Sequence, residues 1–454
     1  HMDISGKTVL VVGTGISGIG AARLLLKTGA NVILYDGNEQ LTQAGIQSKL
    51  PEGSQVKIII GALSEAGLKT VDIAVLSPGV PTDAPFVQAM KDKGIIIWGE
   101  LELAYQFSKG TVLAITGTNG KTTTTTLVGE ILKNYFKDVY VVGNIGKSYA
   151  DIAMETTDDS YIVAETSSFQ LETVQDFHPR VSAILNLTPD HLNRHHTMEG
   201  YVAAKMNIMK NQTKDDFVVL NYDDQLTRKI GEDAVAQVIY FSSMHILEEG
   251  YYFHDKKIIY AHDGEEEIIC NASGLKILGL HNMENIMAAV AMARSVGVPM
   301  EKIRETITSF MGVEHRIEYV TTKKGVAYYN DSKGTNTDAA IKAIQAMVKP
   351  TLLIGGGYDK GSTYDDWIEA FDGKVRWLVL LGATANAIAE CARRHGFDRI
   401  IMTESLEEAV KACAQKAEPG DAVLLSPACA SWDMFKSYEE RGCLFKELVG
   451  RLEH

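Results

Sequence analysis

Thr111-Val112-Leu113-Ala114-Ile115-Thr116-Gly117-Thr118-Asn119-Gly120-Lys121-Thr122-Thr123 is the stretch on which the reading of this chain turns. An apolar, β-branched run passes without interruption into a glycine-rich segment that closes on Gly-Lys-Thr, so a strand feeds a loop and the loop opens a helix. Such a loop, Thr116 to Thr123, offers consecutive backbone N–H groups to phosphates, Lys121 to neutralise β/γ oxygens and Thr122 to ligate Mg²⁺. The eight-residue form of the motif needs Gly at position 115, where this chain has Ile, so a shorter relative of that loop is implied.

The same βα rhythm runs outward in both directions. Thr8 to Val12, Val32 to Tyr35, Ile58 to Ile60, Ile73 to Leu76 and Ile95 to Trp98 read as strands; Ser17 to Lys27 and Pro85 to Lys93 read as helices, each stopped by a glycine. Continuous apolar strands imply parallel sheets buried on both faces, hence α/β architecture. The rhythm restarts at Val326 to Asn330 and Thr351 to Ile354, and 454 residues at about 150 per domain suggest about three domains. We place them at 1–99, 100–313 and 314–454, the first and last Rossmann-like and the middle one of phosphate-loop ATPase type. Tyr251 to Cys270 breaks the pattern with alternating aromatic and charged residues around Asp255-Lys256-Lys257, which predicts an antiparallel hairpin inserted in the middle domain.

Composition narrows the function classes. Forty-four Lys+Arg against 58 Asp+Glu give a net charge of −14, which opposes binding to a nucleic-acid backbone but leaves small anions open. Cys270, Cys391, Cys413, Cys429 and Cys443 form no C-x-x-C pair, and their gaps exceed a metal knuckle, so reduced thiols in a cytoplasmic protein are expected. No apolar run approaches the roughly 20 residues that cross a bilayer, so no membrane insertion is expected. His1-Met2 reads as a cloning remnant.

Three further clusters could carry chemistry. Gly13-Thr14-Gly15-Ile16-Ser17-Gly18 follows a strand and opens a helix, with Asp36 ending the next strand; this fits a pyrophosphate at a helix N-terminus and an acidic partner for a ribose or base. NAD, another nucleotide and a bare turn all satisfy that pattern. Glu165 at a strand end, Asp190-His191-Leu192-Asn193-Arg194-His195, and Lys205 could surround a divalent cation, or the histidines could simply be a polar loop. His281-Asn282-Met283-Glu284-Asn285 opens an Ala-rich helix whose Asn282 and Asn285 either grip an adenosine or cap and decorate the helix.

With these residues in hand, essentially the whole chain resembles the Mur ligases, ATP-dependent amide-bond-forming enzymes of peptidoglycan assembly. Thr116 to Thr123 looks like the family's ATP loop and His281-Asn282-x-x-Asn285 like its adenosine motif. Glu165-Thr166-Ser167-Ser168-Phe169-Gln170-Leu171, Asn330-Asp331-Ser332-Lys333-Gly334-Thr335-Asn336 and Leu425-Ser426-Pro427-Ala428-Cys429-Ala430-Ser431 look like the branch that adds D-glutamate to UDP-N-acetylmuramoyl-L-alanine. A sister ligase with a different amino-acid acceptor is the alternative. More distant rivals are a nicotinamide-dependent oxidoreductase built on Gly13 to Gly18 and a phosphate-loop ATPase that does not ligate.

The resemblance implies a set of roles. Gly15, Ile16, Ser17 and Asp36 would contact the uridine diphosphate, with Asn144, Ser167 and His191 on the rest of the sugar nucleotide. Gly117, Thr118, Asn119, Gly120, Lys121, Thr122, Thr123, Asn282, Asn285, Arg316, Asp331 and Lys333 would bind ATP. Thr335, Lys360, Ser431 and Tyr438 would hold D-glutamate, and Thr122, Glu165, His191 and a carbamylated Lys205 would hold two Mg²⁺ ions. Lys121, Asn144, His191, Lys205 and Arg316 would be the catalytic groups. It further implies a monomer acting on small molecules, with closure of the third domain during turnover. Gly334 stands where many members have Ala, Asn193 where Asp is usual, Tyr438 where Phe is frequent, and Gly37-Asn38 where some have Thr-Arg.

Overall fold

The computed structural model describes residues 2–143, 147–188 and 192–454. Three sheets organise three α/β domains, of which the N- and C-terminal ones are Rossmann-like. The chain falls into two compact units: His1–Cys270 with Glu284–Thr306, and Asn271–Met283 with Ile307–His454.

The N-terminal sheet runs, in spatial order, Lys57–Ile60, Asn31–Asp36, Thr8–Val12, Ile73–Leu76, Ile96–Gly99, all parallel. Successive side chains of a strand face opposite sides, and both sides here are apolar. Val9, Val11, Leu34 and Val75 pack on Leu24 and Leu25 of the helix Ile16–Leu26 and on Leu103 of Glu100–Gln106. Leu10, Val12, Ile33 and Leu76 pack on Val87 and Met90 of Pro85–Asp92. Strand order reverses between Thr8–Val12 and Ile73–Leu76, so the Gly13 turn emerges at the switch point, where open α/β sheets take ligands.

The central sheet has nine strands, with Thr111–Thr116 between Tyr161–Glu165 and Val181–Ile184. Their carboxyl ends place Thr116, Glu165 and the segment after Ile184 side by side. The expected hairpin forms from Gly250–His254 and Lys257–His262, turning through Asp255 and Lys256 at φ +49° and +60°. Instead of standing apart it lengthens the sheet: Gly250–His254 pairs in parallel with Gln237–Ser242, and a third strand, Glu265–Asn271, closes the edge. The parallel pairing satisfies backbone groups that an isolated hairpin would leave to water.

The sheets of the first unit are joined through a buried carboxylate. Glu102 is fully buried, and its Oε1 accepts the backbone N–H groups of Gln175, Asp176 and Phe177 at 2.6, 2.9 and 3.1 Å. Gln106 Nε2 donates to Glu102 Oε2 and to Asp176 Oδ2, while Arg194 donates to the carbonyls of Pro78 and Val80 at 2.7 and 2.8 Å.

The C-terminal sheet runs Glu318–Lys323, Val326–Asn330, Ala422–Leu425, Thr351–Gly355, Val375–Leu380, Ile400–Met402, parallel except for the first, antiparallel strand. Helices Thr337–Ala346, Asp365–Glu369 and Ala385–Arg394 cover one face, and Leu406–Lys416 and Tyr438–Gly450 the other. Among the described residues no helix is long and apolar enough to cross a membrane.

Removing the Glu102 carboxylate strands the buried N–H of Phe177, worth about 1–3 kcal/mol when unsatisfied, and takes the acceptor from those of the exposed Gln175 and Asp176. Glu102→Ala is expected to lower unfolding stability by about 1–3 kcal/mol, read as the midpoint shift in urea; a shift below about 0.5 kcal/mol would contradict the role given to this carboxylate.

Candidate functional site

The turn after the first strand needs its glycines. Gly13 sits at φ +107°, and a Cβ on Gly18 would lie 1.8 Å from the Gly13 carbonyl oxygen. The helix begins at Ile16 with no side-chain cap, and Ile16 is 89% exposed, so its N-terminal end opens outward. Asp36 Oδ2 accepts from Thr14 N and Oγ1 at 3.1 and 2.7 Å, and Oδ1 from Asn38 N at 3.0 Å. Burial raises the Asp36 pKa, but these hydrogen bonds outweigh it and hold the carboxyl below its ordinary range. Burial pushes up the pKa of Glu100, against the pull of the Ser17 and Ser148 hydroxyls.

In the central domain the phosphate loop leaves Thr116 with Gly117 at φ +148° and Gly120 at φ +87°. Lys121 Nζ donates to Gly117 O at 2.8 Å and Thr118 O at 3.4 Å. The buried Lys205, on the helix Met198–Met206, donates to the same Gly117 O at 2.8 Å and to Thr116 Oγ1 at 3.0 Å. Thr122 Oγ1 lies 3.1 Å from Glu165 Oε1, and Glu165 Oε2 is buried without a hydrogen-bond partner among the described residues. An orphaned carboxylate oxygen beside a hydroxyl is a hard-oxygen set of the kind Mg²⁺ uses, so these residues fit that ion. The structure therefore gathers Lys121, Thr122, Glu165 and Lys205 at the carboxyl ends of adjacent strands.

Two sequence assignments acquire a structural task as well. Asn285 Oδ1 accepts from Thr124 Oγ1 at 3.2 Å and lies 2.3 Å from where a Cβ on Gly120 would stand, so it buttresses the loop. The Ser167 hydroxyl caps the short helix Ser168–Leu171 in a capping box with Gln170. Asn144 and His191 lie outside the described residues. Asn186 escaped the sequence reading: its Oδ1 accepts from Thr118 N and Asn119 N at 2.9 and 2.8 Å, and its Nδ2 donates to Asn119 O at 3.0 Å. The signal was one amide between Leu185 and Leu187 at the end of an apolar strand.

In the second unit, Asn282 is buried with Nδ2 donating to Leu278 O at 2.7 Å. Asp331, just past the strand Val326–Asn330, accepts from Ile317 N at 3.2 Å and Ser426 Oγ at 2.7 Å. Burial drives its pKa up to about 7, against the pull of Ser426, Ile317, Arg316 and Arg441. A Cβ at Gly334 would stand 2.6 Å from Asp331 Oδ2 and 2.8 Å from Ser426 Oγ, so the absence of a side chain there leaves room for the pair. Arg316 and Thr335 are half-buried, Lys333 exposed with its N–H on His315 O at 3.0 Å. Tyr438 opens the last helix with its ring edge-on to His315 at 5.9 Å. Lys360 is exposed, its Nζ 5.4 Å from the Trp432 ring, next to the buried Ser431.

Arg441 is the other residue the sequence did not single out. It is buried, donating from Nε to Ser332 Oγ at 2.9 Å, from Nη2 to Ser332 O at 2.7 Å and from Nη1 to Cys429 O at 3.1 Å. Burial pulls its pKa down to about 10. It joins the segment after Asn330 to the one after Leu425. Its only trace in sequence is a place on the stripe Arg441, Phe445, Leu448 of an otherwise apolar helix face.

A glycine-rich turn at one sheet's switch point and a phosphate loop on the next define an α/β nucleotide-using enzyme. Residues 7–99 match the Mur ligase MurD-like N-terminal domain, 115–293 the Mur ligase middle domain and 315–429 the Mur ligase glutamate ligase domain. A UDP-N-acetylmuramoylalanine–D-glutamate ligase of Lachnoclostridium phytofermentans is 58% identical over 452 residues, 100% of both chains, and one of Clostridioides difficile is 46% identical, again over 100% of both. In fold, the chain is similar to UDP-N-acetylmuramate-alanine ligase MurC of Thermotoga maritima (TM-score 0.57, 20% identity, 98% and 99% of the two chains). It is also similar to MurF of Acinetobacter baumannii (TM-score 0.58, 17% identity, 98% and 93%). The chain belongs to the Mur ligase family, and it is a ligase.

Asp331 makes a pH prediction. With a pKa of about 7 in the folded chain against 3.8 ordinarily, it keeps a proton between those values that the unfolded chain has released. Stability therefore falls as pH rises from about 4 to about 7 and is level above that. Subtracting the stability–pH curve of Asp331→Asn from that of the parent should show this slope; a flat difference would mean the carboxyl titrates normally.

Proposed function

We propose that this chain joins D-glutamate to UDP-N-acetylmuramoyl-L-alanine at the expense of ATP, giving ADP and phosphate, as a step of peptidoglycan precursor synthesis. The observation that carries the reading is the convergence of Lys121, Thr122, Glu165 and Lys205 on the phosphate loop of a chain with a full-length relative of that name at 58% identity.

The carboxylate of the L-alanyl group attacks the γ-phosphorus of ATP; the new C–O–P linkage forms as the bond to ADP breaks. The product is an acyl phosphate, in which a poor leaving group has become a good one. The amine of D-glutamate then attacks the acyl carbon, loses a proton, and inorganic phosphate departs. Phosphoryl transfer needs positioning and charge stabilisation more than covalent help. Lys121 and Arg316 supply positive charge to the phosphoryl oxygens, and Asn144 and His191 orient the attacking carboxylate. The loop residues Gly117 to Thr123, with Asn282, Asn285, Asp331 and Lys333, bind ATP. Gly15, Ile16, Ser17, Asp36 and Ser167 bind the sugar nucleotide; Thr335, Lys360, Ser431 and Tyr438 take the D-glutamate carboxylates, for which charge-assisted bonds are suited.

Thr122, Glu165, His191 and Lys205 are the residues for Mg²⁺, which when bound withdraws charge from the phosphoryl oxygens. Lys205 serves there as its carbamate: the ammonium loses one proton, the amine nitrogen bonds the carbon of CO₂ and a second proton leaves, turning a cation into an anionic oxygen ligand. Support comes from its burial beside Lys121, where two ammonium groups on one carbonyl oxygen repel each other and a carbamate would not. On this reading the enzyme is a cytoplasmic monomer acting on small molecules, without a nucleic-acid partner, and the net charge of −14 supports the last point.

Phosphate release from ATP with Mg²⁺ and UDP-N-acetylmuramoyl-L-alanine should occur with D-glutamate and not with L-glutamate, L-alanine or a diamino acid supplied alone. Release with another acceptor would make the chain a sister ligase. Lys205→Ala should lose activity by about 10²–10³-fold and recover part of it with a short carboxylic acid; no recovery, with metal binding intact, would remove the carbamate from the account.

A further inference from the structure

Outside the nucleotide sites, the described residues hold three groupings with the chemistry to bind a metal ion. Glu249, His262 and Asp263 are all exposed and offer no soft ligand. In Glu314, His315 and Cys443, His315 Nδ1 faces the donating amide of Asn330 at 2.9 Å. The same Asn330 is fixed by Ser332 N on its Oδ1 and Glu318 on its Nδ2, so the proton of neutral His315 stays on Nε2, the atom a metal would need.

Asp365, Cys391 and His395 have no such conflict. Cys391 and His395 are one turn apart, at the end and C-cap of the helix Ala385–Arg394, and so share a face. Cys391 is buried with Ile388 and Ala392, while Asp365 opens the neighbouring helix Asp365–Glu369, which is anchored by the buried Trp367 and Ile368. One oxygen, Asp365 Oδ1, lies 2.8 Å from His395 Nε2 and 3.6 Å from Cys391 Sγ. All three ligand atoms fall within 4.8 Å of one another, close to the edges of about 3.3–3.8 Å that a tetrahedral zinc site spans. The second ring nitrogen, His395 Nδ1, lies 4.0 Å from Glu369 Oε1, beyond hydrogen-bond reach.

We propose that Asp365, Cys391 and His395 form a binding site for a soft divalent cation of the Zn²⁺ class, with a fourth position open to solvent. The ion would tie the helix Ala385–Arg394 to Asp365–Glu369. Binding replaces the Cys391 S–H bond with an S–metal bond and releases that proton to solvent. Because the thiolate and not the thiol is the ligand, affinity climbs with pH.

Titration of the full chain with Co²⁺, followed by competition with Zn²⁺, tests this. The expected result is a near-ultraviolet thiolate-to-cobalt absorption, with one proton released per ion, that Zn²⁺ abolishes. It should be absent in Cys391→Ser and kept in Cys443→Ser. His395→Gln, which leaves the core untouched, should bind at least about 10-fold more weakly, with ligase activity unchanged when no Co²⁺ or Zn²⁺ is added. No charge-transfer absorption, its survival in Cys391→Ser, or parental affinity in His395→Gln would each overturn the proposal.

Discussion

The carbonyl oxygen of Gly117 is the point on which the central site depends. It accepts from the ammonium groups of both Lys121 and Lys205 at 2.8 Å, one cation from the loop itself and the other from a helix more than eighty residues further on. Only glycine can hold φ +148° there, and a Cβ would press on Leu185 at 3.1 Å. Asn186 holds the outer side of the same loop by two backbone N–H groups, and Asn285 fills the space beside Gly120. The loop's shape is thus set by three segments distant in sequence, which leaves it pre-organised.

That arrangement also concentrates charge. Two ammonium groups on one oxygen, partly removed from water, repel each other, and the buried Glu165 carboxylate next door has an oxygen with no hydrogen-bond partner among the described residues. A polyphosphate with its counter-ion answers both conditions at once, supplying anionic oxygens to Lys121 and a cation to the carboxylate, while carbamylation of Lys205 would remove the second positive charge. A lone anion would satisfy the first condition and aggravate the second. The electrostatics therefore favour a nucleotide–metal pair over a simple phosphate.

The strands and the phosphate loop were legible because their signals are local: β-branched runs, continuous apolar stretches, and glycines where φ must be positive. The hairpin at Asp255-Lys256 was legible for the same reason, whereas its membership of the nine-stranded sheet was not, since pairing between Gly250–His254 and Gln237–Ser242 depends on two strands choosing one edge. Asn186, Glu102 and Arg441 were invisible for a common cause. Each is a polar residue in an apolar setting whose partners are backbone groups, and backbone partners leave no residue-type pattern to read. The cysteine reading had a similar blind spot: spacing between cysteines says nothing about Cys391 and His395 one helical turn apart, or about Asp365 approaching from another helix.

The N-terminal turn shows why a motif can be read correctly and still leave its ligand open. Gly13 and Gly18 are required by sterics alone, since a Cβ on Gly18 would collide with the Gly13 carbonyl whatever the ligand. Asp36, the residue that would favour a dinucleotide ribose, spends Oδ2 on Thr14 and Oδ1 on Asn38, so it orders the turn before any ligand arrives. What the pattern encodes is a phosphate-sized approach to a helix N-terminus with one ionised carboxylate nearby, a specification that a nicotinamide dinucleotide and a uridine diphosphate sugar meet equally. The discrimination comes from the rest of the chain: Glu102 and Arg194 join this domain to the one bearing the phosphate loop, and a hydride-transfer enzyme has no use for that loop.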